Sequence, residues 1–267
     1  MHVLRIAVLL AAFTGVLRAE TQTNYNQPPP PDVGWTQNLG QRLPLDAEVI
    51  DVQGNAKPFG HYFGDKPVIV LLGYNRCPML CGEQIQGVLQ VTHDLDWKAP
   101  EDFKVLFISV DPEEDPQLAR EAQRNANRAY AENADADAWT FLRAGPEAIT
   151  QIAQAAGFGY EYDEESTEYA HPGGFLIAEE DGTIAQYFFG VRFEGPAVRL
   201  ALVDASQGKL GSPADQLLLL CYHYDPMTGK YGLAIQNLLK AGALATIFAL
   251  GGFITWNLRR ERQQPHA

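Results

Sequence analysis

Two cysteines set four positions apart are the residues of this sequence most suited to chemistry. Cys77 and Cys81 lie where a short apolar run gives way to a helical pattern. If Cys81 stands in the first turn of a helix, the two sulfurs lie on one side of the chain, because positions four apart share a helix face. The amide groups and the dipole at a helix start also favour a thiolate over a thiol.

The spacing of this cysteine pair leaves three uses open. The two thiols can close a reversible, redox-active disulfide. Two thiolates can instead bind a soft metal ion such as Cu(I), whereas a closed zinc site needs four ligands. The third use is a structural disulfide in an oxidising compartment.

A third metal ligand would have to come from a distant part of the chain. His171 is the strongest candidate among the six histidines because it stands directly before an apolar strand pattern, in the segment Tyr169-Ala170-His171-Pro172-Gly173-Gly174. A histidine there can be held at the edge of a sheet, near the loop that carries Cys77 and Cys81, here called the cysteine loop. The alternative is a solvated loop histidine.

The elements that would position these residues alternate between strands and helices. Buried strands are predicted at 67–74 and 103–110, where β-branched residues cluster. Shorter strand patterns, and helical patterns between them, cover the rest of the body: strands at 45–52 and 140–142, a hairpin of 174–178 with 183–189, and helices at 83–95, 116–130, 146–156 and 195–206. This alternation predicts an α/β sheet whose faces are covered by helices.

The N-terminal end reads as a targeting segment followed by a spacer. Residues 1–19 combine a basic start, a short apolar run and a small residue before a polar stretch, which is typical of a secretory signal peptide. Residues 20–42 are predicted to be a linker, since four consecutive prolines at 28–31 favour an extended polyproline conformation.

The C-terminal end predicts a transmembrane helix at 238–258. Ala241 to Leu258 is a stretch of 18 residues without a charge, and at 1.5 Å per residue such a helix reaches about 27 Å, close to the thickness of the hydrocarbon layer. The tail at 259–267 carries Arg259, Arg260 and Arg262. Positive charge marks the cytoplasmic side, so the body is expected outside the cytoplasm. The alternative is a buried amphipathic helix.

The charge balance restricts the partners. The chain has 20 Lys+Arg against 33 Asp+Glu, a net charge of −13, which argues against nucleic acid because binding to phosphates needs a basic face. An acidic body suits a partner with a basic face, or simply keeps the protein soluble.

The segment 211–237, directly before the predicted membrane helix, holds a second group of metal-ligand residue types. Cys221, His223 and Met227 are close in sequence, and Asp225-Pro226 and Thr228-Gly229 predict a turn. The segment is either a second, transient copper site or docking face, or an aromatic belt at the membrane interface with a buried cysteine.

Three separate motifs together resemble the Sco/SenC family. These are Gly73-Tyr74-Asn75-Arg76-Cys77-Pro78-Met79-Leu80-Cys81, Ser109-Val110-Asp111-Pro112-Glu113-Glu114-Asp115, and the later His171. The resemblance implies a thioredoxin-like domain at 43–210, with a central mixed sheet flanked by helices. It also implies that Cys77, Cys81 and His171 bind copper as Cu(I) or Cu(II). Asp111 would then support these ligands or contact a partner, although it can equally serve only to make a turn.

The resemblance also implies a function. Members are membrane-tethered copper proteins that take part in assembling the binuclear copper centre of cytochrome c oxidase. We therefore expect delivery of copper to the copper-bearing oxidase subunit or another cuproprotein, or reduction of that site's thiols. The alternative is a thiol–disulfide oxidoreductase without stable copper binding. The expected location is the bacterial inner membrane, with the body in the periplasm and the C-terminal tail in the cytoplasm.

Overall fold

The computed structural model describes residues 32–76, 80–131, 138–164 and 166–207, together with 224–225, 230–231 and positions 240, 243–244, 246–248 and 250–253. Cys77 and Cys221 lie outside the described residues, and of Cys81 only the backbone is described. All of these described residues belong to one compact unit, Asp32–Ala267.

A seven-stranded mixed sheet forms the centre of this unit. Its strands are β2 (Glu48–Ile50), β3 (Ala56–Pro58), β4 (Val68–Gly73), β5 (Lys104–Ser109), β6 (Trp139–Ala144), β10 (Gly174–Ala178) and β11 (Ile184–Phe189), in the spatial order β11-β10-β4-β5-β6-β2-β3. β4, β5 and β6 run parallel, and the strands on either side of them are antiparallel. The predicted α/β fold with a central mixed sheet is thus confirmed.

The parallel strands form the middle of the sheet because both of their faces are apolar. Every residue of β4 is buried, as are the last five of β5. Strands buried on both faces read as continuous apolar runs rather than as alternating patterns. The prediction of two buried strands from such runs at 67–74 and 103–110 is therefore confirmed.

Four helices cover the two faces of the sheet, and all four were predicted. They are α1 (Leu80–His93), α2 (Pro116–Ala131), α3 (Pro146–Ala156) and α4 (Gly195–Ala205). Apolar residues of α1, α2 and α4 pack on one face of the sheet, and those of α3 pack on the other. The ends of the helices follow from local chemistry: Asp115 accepts a hydrogen bond from the Gln117 amide at 2.8 Å at the start of α2, and Gly157 ends α3 with φ of +64°.

Short antiparallel pairs outside the main sheet were not predicted. β1 (Gly34–Trp35) pairs with β7 (Phe158–Gly159), and β8 (Glu161–Asp163) pairs with β9 (Glu168–Ala170). Gly34 and Trp35 fall in the stretch that the sequence assigned to the linker. Pairs of two or three residues carry too little hydrophobic alternation to be recognised from sequence.

Two further features lie near the C-terminus. β12 (Tyr224–Asp225) pairs with β13 (Lys230–Tyr231), and residues 226–229 of the predicted turn lie outside the described residues. The described positions from 240 to 253 are helical and exposed, and five of them carry large apolar side chains: Leu244, Ile247, Phe248, Leu250 and Phe253. Within the described part of the chain, no helix is long and apolar enough to cross a membrane.

One buried polar contact joins a helix to the sheet and yields a stability prediction. The Asn127 side chain in α2 donates to the Trp139 carbonyl at 3.1 Å and accepts from the Trp139 amide at 2.8 Å. We expect Asn127→Ala to lower the free energy of unfolding by about 2–3 kcal/mol, because it leaves two buried backbone groups unsatisfied. Urea denaturation measures this, and Asn125→Ala, at an exposed position of the same helix, should change it little.

Candidate copper and thiol site

The candidate site lies at the carboxyl ends of β4 and β5. In the parallel register Gly73 pairs with Ser109, and the Val110 amide donates to the Gly73 carbonyl at 2.8 Å. The two chains that leave these strands are therefore neighbours. One leads through Tyr74 and Asn75 to the cysteine loop, and the other is the acidic turn 111–115.

His171 is brought to the same edge by the antiparallel pairing of β10 with β4. Phe175 pairs with Leu71, and this register, continued toward His171, reaches the level of Tyr74 and Asn75. The imidazole ring is 5.8 Å from the Tyr74 ring and 5.8 Å from the Phe158 ring, centroid to centroid. Only 7% of His171 is exposed, so it is not the solvated loop histidine of the alternative interpretation.

The tautomer of His171 suits a metal ligand. Its Nδ1 lies 3.1 Å from the Pro172 carbonyl oxygen. Because a carbonyl oxygen only accepts, a neutral imidazole in this contact carries its proton on Nδ1 and has its lone pair on Nε2. A backbone carbonyl that orients the other ring nitrogen is the usual arrangement behind metal-bound histidines.

A hydrogen bond links α1 to Gly174, the first residue of β10. Gln84, fully buried in α1, donates from Nε2 to the Gly174 carbonyl at 2.6 Å. Cys81 lies three residues before Gln84 in α1, and His171 lies three residues before Gly174. The contact therefore fixes the start of α1 against the chain that carries His171.

Gly174 is required by the backbone at this point. Its φ is +131°, and a Cβ there would lie 2.3 Å from the Phe188 carbonyl oxygen. Only glycine fits such a conformation and such a close approach. The glycine after Pro172-Gly173 thus allows the chain to turn from His171 into β10.

Glu114 is buried beside the entrance to the cysteine loop. It is 2% exposed, and its Oε2 accepts hydrogen bonds from the Asn75 amide at 2.9 Å, from Asn75 Nδ2 at 3.0 Å and from Ser109 Oγ at 2.7 Å. Asn75 stands two residues before Cys77. The acidic turn therefore holds the chain that leads into the cysteine loop.

Asp111 makes the turn that the sequence analysis allowed for. Its Oδ1 accepts from the Glu113 amide at 2.9 Å, a local contact that stabilises the turn. Asp111 also faces the aromatic residues near His171: burial raises the pKa of the Tyr169 hydroxyl, and the negative charge of Asp111 raises that pKa further. Whether Asp111 supports copper ligands or contacts a partner stays a prediction.

Aromatic side chains form a wall around His171. The Tyr74 ring is 5.5 Å from the Tyr169 ring, and the Tyr169 ring is 4.9 Å from the Tyr162 ring, centroid to centroid. On the other side, Phe158 contacts Trp35 at 4.9 Å. This wall lowers the exposure of the imidazole to water, which strengthens its interactions with a bound ion.

Several predicted site residues lie outside the described residues. These are Cys77, the Cys81 side chain, Cys221, His223 and Met227. Among the residues whose side chains are described, no three His, Cys, Asp or Glu groups are placed to hold a metal ion. The site ligation by Cys77, Cys81 and His171 therefore stays a prediction, although the donor set of two thiols and one imidazole fits copper.

Glu114 and Gln84 were missed by the sequence analysis. Within the acidic run Asp111-Pro112-Glu113-Glu114-Asp115, the sequence analysis singled out Asp111, because aspartate makes turns. A buried glutamate or glutamine has no such local signal, since its burial is decided by how distant elements pack.

Comparison with known proteins identifies the family. The family model described as SCO1/SenC matches residues 48–198, more than half of the chain. The fold defines a thioredoxin-like α/β protein with His171 near the carboxyl ends of its parallel strands, and the chain belongs to the SCO1/SenC family. The comparison with curated proteins found no match.

Solved structures share the fold. One is described as a candidate electron transfer protein from Aquifex aeolicus VF5, with a TM-score of 0.56, 22% identity and coverage of 64% of this chain and 95% of that one. BsSco, described as a member of the Sco family of cytochrome c oxidase assembly proteins with a disulfide switch, has a TM-score of 0.51, 16% identity and coverage of 66% and 100%. ScoI from Arabidopsis thaliana has copper bound, with a TM-score of 0.50, 17% identity and coverage of 60% and 96%. The expectation of copper is thus confirmed for the family.

Proposed function

We propose that this protein is a membrane-tethered copper-binding protein that delivers copper to the binuclear copper site of cytochrome c oxidase, or reduces the thiols of that site, during assembly. The observation that carries the proposal is the position of His171. It is buried beside Tyr74 at the end of β4, and Tyr74 stands three residues before Cys77. In the neutral ring, the contact of Nδ1 with the Pro172 carbonyl places the proton on Nδ1 and makes Nε2 the nitrogen that can bind a metal ion.

The donor set explains why copper would be the cargo. Two thiolates are soft ligands that favour Cu(I), and one imidazole is a borderline ligand that also suits Cu(II). Release to a partner proceeds by ligand exchange, in which each donor of the acceptor protein replaces one donor of this site. No free copper ion forms at any step.

The alternative function is thiol–disulfide exchange without stable copper binding. One cysteine thiolate attacks a disulfide of the partner, which forms a mixed disulfide and releases one partner thiolate. The second cysteine attacks the mixed disulfide and releases the other. The partner gains two electrons and Cys77 and Cys81 end as a disulfide. The disulfide switch described for BsSco favours keeping this alternative.

The location is proposed from the ends of the chain. Residues 1–19 would direct export, and the helix at 238–258 would anchor the body in the inner membrane, with the arginines of 259–267 in the cytoplasm. The exposed apolar side chains at Leu244, Ile247 and Phe248 support this anchor. The acidic body would then meet a partner with a basic face in the periplasm.

Transfer to a defined acceptor tests the proposed function. Full-length protein loaded with Cu(I) is mixed with the metal-free, reduced copper-bearing domain of an oxidase subunit, and copper in each protein is measured after separation. Copper delivery predicts movement of copper to the acceptor. In a second arm the acceptor is supplied as its disulfide. The reductase function predicts that metal-free, reduced protein produces new acceptor thiols as fast as copper-loaded protein does. The proposal is refuted if no copper moves to the reduced acceptor and no new thiols appear in the disulfide acceptor.

The segment 211–237 yields a separate prediction. If Cys221, His223 and Met227 form a second copper site, the wild-type chain binds two Cu(I) and the Cys221→Ser/His223→Ala variant binds one, because two of three soft or borderline ligands are lost. Copper per chain after anaerobic titration measures this. A ratio of one in both proteins removes the second site.

A further inference from the structure

We propose that Glu114 is a positioning residue for the cysteine loop, which fixes the path of the chain into Cys77 and so sets the affinity of the site for Cu(I). The inference rests on the proposed function for its copper readout. A second readout, the reactivity of the thiols, does not depend on copper.

Glu114 forms hydrogen bonds with residues at the ends of two neighbouring strands, β4 and β5. A single carboxyl oxygen, Oε2, receives the main-chain and side-chain N–H groups of Asn75 from the end of β4, together with the Ser109 hydroxyl from the end of β5. Ser109 Oγ in turn accepts from the Asp111 amide at 3.3 Å. On the far side, Arg143 of β6 donates to the Glu114 carbonyl at 3.4 Å. Glu114 is thus connected to the ends or edges of three adjacent parallel strands.

The double contact with Asn75 restricts where Cys77 can lie. Bonds to both the amide and the side chain of Asn75 fix its backbone direction and its rotamer together. Two residues of extended chain span at most about 7 Å. Holding Asn75 therefore limits how far from the end of β4 the chain can run before residue 77, and Tyr74, one residue before Asn75, contacts the His171 ring.

Stability alone does not explain a glutamate at this position. Among the described residues, the second oxygen of Glu114, Oε1, has no hydrogen-bond partner although it is buried. Burying an oxygen without a partner costs free energy, which offsets part of what the three hydrogen bonds of Oε2 contribute. The residue is better explained by the loop that it holds than by any stability that it adds.

Two substitutions separate the hydrogen-bonding role of Glu114 from its charge. We expect Glu114→Ala to lower Cu(I) affinity about 10-fold or more, the effect typical of groups that orient metal ligands. Glu114→Gln keeps an oxygen that accepts from Asn75 and Ser109, so its Cu(I) affinity should stay within about 3-fold of the wild-type value. Full-length, fully reduced protein is titrated with Cu(I) against a chromophoric Cu(I) chelator.

The thiol readout uses the same proteins without metal. The rate of alkylation of Cys77 and Cys81 by iodoacetamide, located by peptide mass mapping, should change in Glu114→Ala and stay close to wild type in Glu114→Gln. Asn127→Ala serves as the matched control, since it also removes hydrogen bonds from a buried polar side chain but lies against Trp139. It should lower stability and leave both readouts unchanged.

Failure of the positioning role of Glu114 and failure of the copper function give different results. Wild-type values in Glu114→Ala for both readouts, or equal changes in Asn127→Ala, overturn the positioning role. If wild-type protein itself does not bind Cu(I), the copper function fails, and the alkylation rates alone decide for or against Glu114. If Glu114→Ala does not fold, Asn75→Ala removes one of the three hydrogen bonds. A smaller change in the same direction then supports the role, and wild-type behaviour refutes it.

Discussion

Serine in place of Cys77 is expected to weaken Cu(I) binding by more than about 100-fold, beyond the 10–100-fold typical of groups that only orient ligands. A hydroxyl is a poor ligand for Cu(I), so the Cys77→Ser site has one soft donor in place of two. Competition against a Cu(I) chelator with the reduced full-length protein measures the loss. The same variant should be unable to resolve a mixed disulfide, so it should also lose catalytic disulfide reduction.

The third cysteine provides the control for this experiment. Cys221→Ser removes a thiol from the same chain but leaves the pair at 77 and 81 intact, so high-affinity binding at the first site should persist. Equal affinity losses in Cys77→Ser and Cys221→Ser would contradict the assignment of the site to the end of β4.

The second large effect is expected at the histidine. His171→Ala should weaken Cu(I) binding by at least the roughly 10–100-fold typical of groups that only orient ligands, because the site loses its imidazole and keeps two thiolates. Disulfide reduction by the cysteine pair should change far less, since thiol exchange needs only the two sulfurs. The contrast between the two activities therefore separates copper delivery from thiol chemistry.

An exposed histidine serves as the control for His171. The side chain of His93, at the end of α1, is 67% exposed, and His93→Ala should leave copper affinity unchanged. Because His171 is buried among Tyr74 and Phe158, urea denaturation must accompany the comparison. Copper affinity of His171→Ala equal to that of His93→Ala would show that the imidazole is not a ligand.

The central elements of the fold could be predicted because their signals are local. β4 and β5 are continuous apolar runs, and α2 and α3 have capping or stopping residues at their ends, Asp115 and Gly157. Hydrophobic runs and caps are visible within a window of a few residues. The short pairs β1–β7 and β8–β9 depend on contacts between distant segments, and no local pattern marks them.

The sequence predicts the chemistry of the candidate site but not the contacts that hold its residues in place. The residue types and spacing of Cys77, Cys81 and His171 pointed to soft-metal and thiol chemistry, and the strand after His171 suggested a sheet edge. The register that brings His171 to the level of Asn75, next to Tyr74, is set by the pairing of β10 with β4, which a sequence does not display. Gln84 and Glu114 became visible only through their contacts with Gly174 and Asn75.

X-ray absorption spectroscopy of the full-length protein loaded anaerobically with one Cu(I) tests the central claim most directly. Coordination of copper by Cys77, Cys81 and His171 predicts two sulfur ligands and one nitrogen ligand in the first coordination sphere, and the nitrogen disappears in His171→Ala. Two sulfurs without nitrogen in the wild-type protein would contradict this coordination and leave a redox dithiol in its place.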